Sequence, residues 1–224
     1  MTMKLRGHAD NAGAGDDAGA APAALLEAHD LRKSYGRHEV LRGVDLAVGP
    51  GQLVAVVGEN GAGKSTLLKI LAGTLAADGG TVALAGTLGY CPQEPVLSDS
   101  LTVEAHLRYF AAAYRLPALD RADELVGQLG YAGHRREPAG SLSSGTRQKL
   151  NLTLALMHDP EVLLLDEPYQ GFDWETYLRF WDLARDLRAR GRAVVIISHL
   201  VFERERFDRL YHLADGALAP AAVA

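Results

Sequence analysis

Disulfide chemistry is the first thing this chain does without. A single cysteine, Cys91, stands among 224 residues, which excludes an internal disulfide framework and fits a reducing compartment. Its expected place is that of a small buried hydrophobe. A basic excess is missing too: Lys and Arg number 23 against 28 Asp and Glu, a formal charge of −5. Holding DNA or RNA by its phosphates takes clustered cations, so no nucleic-acid partner is expected. The longest apolar runs, Leu53 to Val57 and Ala193 to Ile197, are of strand length, whereas a membrane span takes roughly 20 apolar residues. The N-terminal stretch MTMKLRGHADNAGAGDDAGAAPAALL has an acidic pair and many Gly and Ala where a secretory leader needs a bulky apolar core. A cytoplasmic protein is expected.

What is there suffices for a full core. Hydrophobic residues make up 48% of the sequence, enough for one large domain or one domain with a small lobe. Residues 1 to 22 are too poor in large apolar side chains to offset the entropy of ordering, and a disordered tail is expected there. From Leu25, the strand-like segments LLEAHDL, VDLAV, QLVAVVG and TVALAG alternate with Gly, Pro and Asp turn signals. From Thr102 to about Gly133, Leu and Ala recur at helical spacing, interrupted by Pro117, which reads as a helical insertion. Beyond Arg147 come a helix, the strand EVLLLD, the helix ETYLRFWDLARDLRARG and the strand AVVIIS. That order predicts an α/β fold with parallel strands and crossover helices.

The strongest chemical signal is GENGAGKST, Gly58 to Thr66, directly after an apolar strand and directly before a helix. It satisfies G-x-x-x-x-G-K-[ST] in the strand-loop-helix context that gives the pattern its meaning. Glycines let the loop from Gly58 through Asn60, Gly61, Ala62 and Gly63 wrap, so that successive backbone N–H groups and the following helix N-terminus point at phosphates. Lys64 then places a cation on the β and γ phosphates, the Ser65 hydroxyl can ligate Mg²⁺, and Thr66 is a nucleotide-binding candidate beside it. The strand VLLLDEP, Val162 to Pro168, ends in two carboxylates at the strand's C-terminal end. Asp166 there is suited to the Mg²⁺ shell. Glu167, one residue on, is the candidate general base, since a carboxylate beside the γ-phosphate can orient water and take its proton. VVIISHL puts His199 at the end of another apolar strand on the same sheet edge.

Together with KSYG, YCPQEP, LSSGT, YQGFD and ISH, all in family order, these motifs resemble the ATP-binding cassette (ABC) family, as the nucleotide-binding subunit of a bacterial exporter of the multidrug type. The resemblance covers about residues 25 to 219. It implies a P-loop, RecA-like core at 23–219 with an antiparallel β subdomain, an α-helical subdomain inserted at about 95–158, and a tail at 220–224. It also implies that Tyr35 stacks on adenine, that Gln93 senses Mg²⁺ and the attacking water, that Asp173 lies at a dimer interface, and that His199 holds the γ-phosphate. The implied cofactors are ATP and Mg²⁺. The implied partners are a second cassette, identical or not, and a transmembrane permease subunit, which puts the chain on the cytoplasmic face of the membrane.

The stretch LSSGT stands where the family typically has L-S-G-G-Q, a segment that binds the γ-phosphate held by the other subunit's P-loop. Ser143 and Gly145 are retained, while Ser144 and Thr146 replace a glycine and the glutamine; Ser143 or Ser144 also reads as a helix N-cap. Near Gln93, Val96, Leu97 and Leu101 read as apolar residues that either meet the permease or pack the helical lobe onto the core. Trp174 and Trp181 read as core or interface anchors on one helix, and FERERFDR as a solvated helix face. A soluble cassette ATPase of translation or DNA repair is the alternative function. A P-loop GTPase or small-molecule kinase leaves LSSGT and ISH unexplained.

Overall fold

Strand pairing divides the molecule into two sheets. The structure, a computed structural model, describes residues 23–198 and 203–221; the expected tail at residues 1 to 22 and His199 lie outside them. Strands β1 (Leu26–Tyr35), β2 (His38–Val48) and β4 (Gly79–Leu84) form an antiparallel sheet in the order β2-β1-β4. The second sheet takes β3 (Leu53–Val57), β5 (Leu88–Cys91), β6 (Val162–Asp166), β7 (Ala193–Ser198), β8 (Arg209–Ala214) and β9 (Ala217–Ala221). Its order is β5-β6-β7-β3-β8-β9, parallel throughout except for the β8–β9 hairpin. Strand β9 runs to Ala221, past the boundary expected at 219.

The central strands β6 and β7 are buried at every residue, as parallel strands covered on both faces must be. Their side chains alternate between two cores. Leu163, Leu165, Val194 and Ile196 join the larger one, whereas Val162, Leu164, Val195 and Ile197 join the one that includes Leu67 and Leu68 of α1 (Lys64–Leu71). The same two-residue period puts Asp166 on the α1 side.

The helical insertion comprises α2 (Val103–Ala113) and α3 (Asp120–Gln128), which pack on α4 (Ser144–Leu156), and α4 in turn packs on β5. Thr102 caps α2, its side chain accepting from the Ala105 amide at 3.1 Å. Helix α5 (Trp174–Ala189) covers β7. Trp181 is buried in an aromatic group with Tyr169, Phe180 and Phe207, while Trp174 is 70% exposed.

One expectation fails in part. Residues 203 to 208 form no helix beyond a single 3₁₀ turn at Arg204–Arg206. Arg204, Glu205, Asp208 and Arg209 are exposed as expected of a solvated run, while Arg206 pairs with Glu203 and lays its guanidinium 5.0 Å from the Trp181 ring centroid. Of the residues with two open readings, Leu97 packs against the larger core, whereas Val96 is 83% exposed.

Candidate functional site

The loop after β3 is shaped by close approaches. A Cβ on Gly58 would stand 2.3 Å from the Leu213 carbonyl oxygen on β8, so only glycine lets the loop leave the sheet there. Gly63, the N-cap of α1, combines φ 99° with a neighbour, Val40 Cγ1, that a Cβ would meet at 2.6 Å. Lys64 folds into the loop it follows: Nζ donates to the carbonyls of Gly58 at 2.7 Å and Glu59 at 2.9 Å. Burial lowers the pKa of its ammonium from the ordinary lysine value, and the carboxylates of Glu167 and Asp166 work against that.

Those carboxylates come from β6, two strands away across β7. Parallel register pairs Asp166 with Ile197 and Val57 with Ser198, which aligns the carboxyl ends of β6, β7 and β3 at one edge. Asp166 and Glu167 are both buried. Glu167 adopts φ 47°, a left-handed backbone that a residue with a Cβ enters only at a cost. Its amide donates to the Ile197 carbonyl at 2.9 Å, and its Oε2 accepts from the Ser198 hydroxyl at 3.2 Å. The strained turn thus aims the second carboxylate back over the sheet edge.

A cavity of about 320 Å³ opens there. Of the residues singled out from the sequence, Asn60, Gly61, Gly63, Lys64, Ser65, Thr66, Gln93, Asp166 and Glu167 line it together. Gly58 and Ala62 belong to the loop backbone behind this wall. His38 and Val40 of β2 also line it, and the sequence reading missed them. The available signal was their position just after Tyr35, but strand alternation alone does not say which face meets the loop. Tyr35 lies beside the cavity's β2 wall in sequence yet is 53% exposed, with Lys33 Nζ 5.8 Å from its ring centroid.

Ser143, Gly145 and Asp173 gather elsewhere. Ser143 caps α4, accepting from the Thr146 amide at 3.2 Å, and its hydroxyl lies 3.0 Å from that of Thr146. A Cβ on Gly145 would stand 2.3 Å from the Gly171 carbonyl oxygen, so the signature backbone is pressed against the loop that leads to Asp173. Asp173 caps α5 by accepting from the Thr176 amide at 2.7 Å. That bond holds its carboxyl below the usual carboxylate range, and Lys149 Nζ lies 3.9 Å from it. None of these three lines the cavity.

A glycine loop with a lysine at a helix start, faced by two strand-end carboxylates, defines a P-loop nucleoside triphosphatase, here with helices inserted between the two motifs. Comparison with known proteins narrows that class. The sequence profile of the family described as ABC transporter matches residues 41–170. The chain is 33% identical over 208 residues to the Nod factor export ATP-binding protein I of Ralstonia nicotianae, covering 86% of this chain and 65% of that one. It is 38% identical over 191 residues to the aliphatic sulfonates import ATP-binding protein SsuB 3 of Rhodococcus jostii, covering 84% and 71%. The chain spans about two thirds of the length of these curated relatives. A solved ATP binding subunit of an ABC transporter superimposes with a TM-score of 0.82 at 27% identity, covering 88% of this chain and 90% of that one. The chain belongs to the ABC transporter family, as an ATP-binding cassette of the kind that hydrolyses ATP.

Proposed function

We propose that the chain is the ATP-hydrolysing subunit of a membrane exporter and that it works in a pair, each cassette completing the other's nucleotide site. One observation carries the pairing: the P-loop, Gln93, Asp166 and Glu167 share a cavity, while Ser143, Gly145 and Asp173 lie outside it. An anion-seeking helix N-terminus remote from its own P-loop gains a use when a second cassette, head to tail about a two-fold axis, brings it over the opposite γ-phosphate.

In this reading the loop amides and Lys64 grip the β and γ phosphates, and Tyr35 stacks on adenine. Ser65, Asp166 and Gln93 line one cavity and offer oxygen donors, the set preferred by a hard cation such as Mg²⁺. Bound with ATP, Mg²⁺ would neutralise charge on the transferred phosphoryl group. Glu167 takes a proton from the water whose oxygen attacks the γ-phosphorus, the bond to the β–γ bridging oxygen breaks, and ADP leaves. His199 would hold the γ-phosphate as the family pattern implies.

Among the described residues no helix is long and apolar enough to cross a membrane. In this reading the chain docks on a separate permease subunit, through the surface that includes Val96 and Leu101, on the cytoplasmic face of the membrane. The transporter relatives favour this over a soluble ATPase of translation or DNA repair. The outward direction is that of the Nod factor relative; the sulfonate relative is named for import, and the cassette chemistry serves both.

The test is the mass in solution of Glu167→Gln with and without Mg-ATP, by light scattering after size exclusion, beside the same protein carrying Ser143→Arg. ATP-dependent doubling of mass that the arginine abolishes is the expected result. A monomer that binds ATP in both proteins would refute the paired site.

A further inference from the structure

One turn beyond Ser143, helix α4 carries polar groups that neither the phosphate loop nor the signature uses. Gln148 and Asn151 are three residues apart, hence on one helix face, and are only 3% and 6% exposed. Their neighbours Leu150, Leu152 and Leu154 are core leucines, so packing alone is served by apolar side chains. A buried amide is costly unless its hydrogen bonds are made, and the partners of these two are informative.

Asn151 Nδ2 donates to the Pro92 carbonyl at 2.8 Å and lies 3.2 Å from Cys91 Sγ and 3.3 Å from Gln148 Oε1. Gln148 Nε2 reaches the carbonyls of Pro168 at 3.4 Å and Glu167 at 3.5 Å. Pro92 immediately precedes Gln93. Glu167 is the residue held at φ 47°. The amide pair therefore touches the backbone of both turns that bring a polar side chain to the cavity from the sheet's β5–β6 side, and it does so from one rigid helix.

We propose that Asn151 and Gln148 are positioning residues for hydrolysis, pinning the turns of Gln93 and Glu167 to α4 so that the two side chains keep a fixed separation across the γ-phosphate position. This rests on the function proposed above. Neither amide touches the P-loop, so the pair governs the rate of the chemical step and leaves nucleotide affinity alone. A displacement near 1 Å in a catalytic group costs about 10²-fold.

The experiment compares full-length wild type, Asn151→Leu, Asn151→Ser and the double variant Gln148→Leu/Asn151→Leu. It measures kcat and KM for ATP, the dissociation constant of a fluorescent ATP analogue, and Tm. Asn151→Leu is expected to lower kcat about 10- to 100-fold, with analogue affinity within about twofold of wild type and a Tm lowered by several degrees, because the Pro92 carbonyl loses its donor. Asn151→Ser, which keeps a hydroxyl and leaves room for water should leucine overpack the site, is expected to retain an intermediate kcat with the same affinity. The double variant is expected to be slower than Asn151→Leu, since it also releases the Glu167 turn that Gln148 holds; a double variant no slower than the single one would remove Gln148 from the proposal. Wild-type kcat in a folded Asn151→Leu would overturn the inference. So would kcat, affinity and Tm falling together in both the leucine and serine variants. A wild type that neither binds nor hydrolyses ATP would instead overturn the functional reading beneath it.

Discussion

Gly145→Ala separates two reasons for a glycine in the signature. If glycine served only to let backbone approach a phosphate of the partner's ATP, alanine would leave the nucleotide-free protein untouched. The structure supplies a second reason within the chain, because the added Cβ would lie 2.3 Å from the Gly171 carbonyl oxygen. Ordinary contact there is roughly 3.5 Å, so α4 and the loop before Asp173 must part by about 1 Å. Both sides of the clash are backbone and cannot yield by changing rotamer. Overpacking of this kind costs about 1–3 kcal/mol, here toward the upper end. Alanine returns up to about 1 kcal/mol as the better helix former, leaving a net loss of about 2 kcal/mol. For a chain of this size that is a fall in Tm of about 4–8 °C, read by calorimetry on nucleotide-free protein. An unchanged or raised Tm would refute the argument that the signature glycine is held by its own chain.

Other substitutions probe the site and core directly. Lys64→Ala is expected to weaken ATP binding by about 1.5–3 kcal/mol, because phosphates lose a charged donor; titration calorimetry showing wild-type affinity would count against the P-loop assignment. Glu167→Gln is expected to keep that affinity while turnover falls about 10²- to 10⁴-fold, and hydrolysis at the wild-type rate would remove Glu167 as general base. The two tryptophans of α5 should part company in urea unfolding. Trp181→Ala should cost about 3–5 kcal/mol as a large buried ring, and Trp174→Ala within about 0.5 kcal/mol as a solvent-facing one. Equal effects would contradict the burial of one and the exposure of the other.

Much of the molecule was legible in the chain because the signals are local. The apolar run Leu53 to Val57 coincides with β3, and the glycines that follow impose a loop and then a helix within a few residues. Val162 to Asp166 reads as a buried strand and is one. LSSGT reads as a capped helix start, and Ser143 makes the cap.

What the sequence by itself determined, then, was each motif and the element that carries it. Which motifs meet was decided by the strand order β5-β6-β7-β3-β8. That order places Gln93, Asp166, Glu167 and the P-loop on one edge, and packing of the antiparallel sheet adds His38 and Val40 to the same cavity. Tertiary packing also turned Leu97 inward, laid Arg206 over Trp181, and pressed Gly145 against Gly171. The physical reason is range: backbone propensity and side-chain period act over a few neighbouring residues. A cavity, by contrast, is made by segments that come together only when sheets and helices bury their apolar faces against one another.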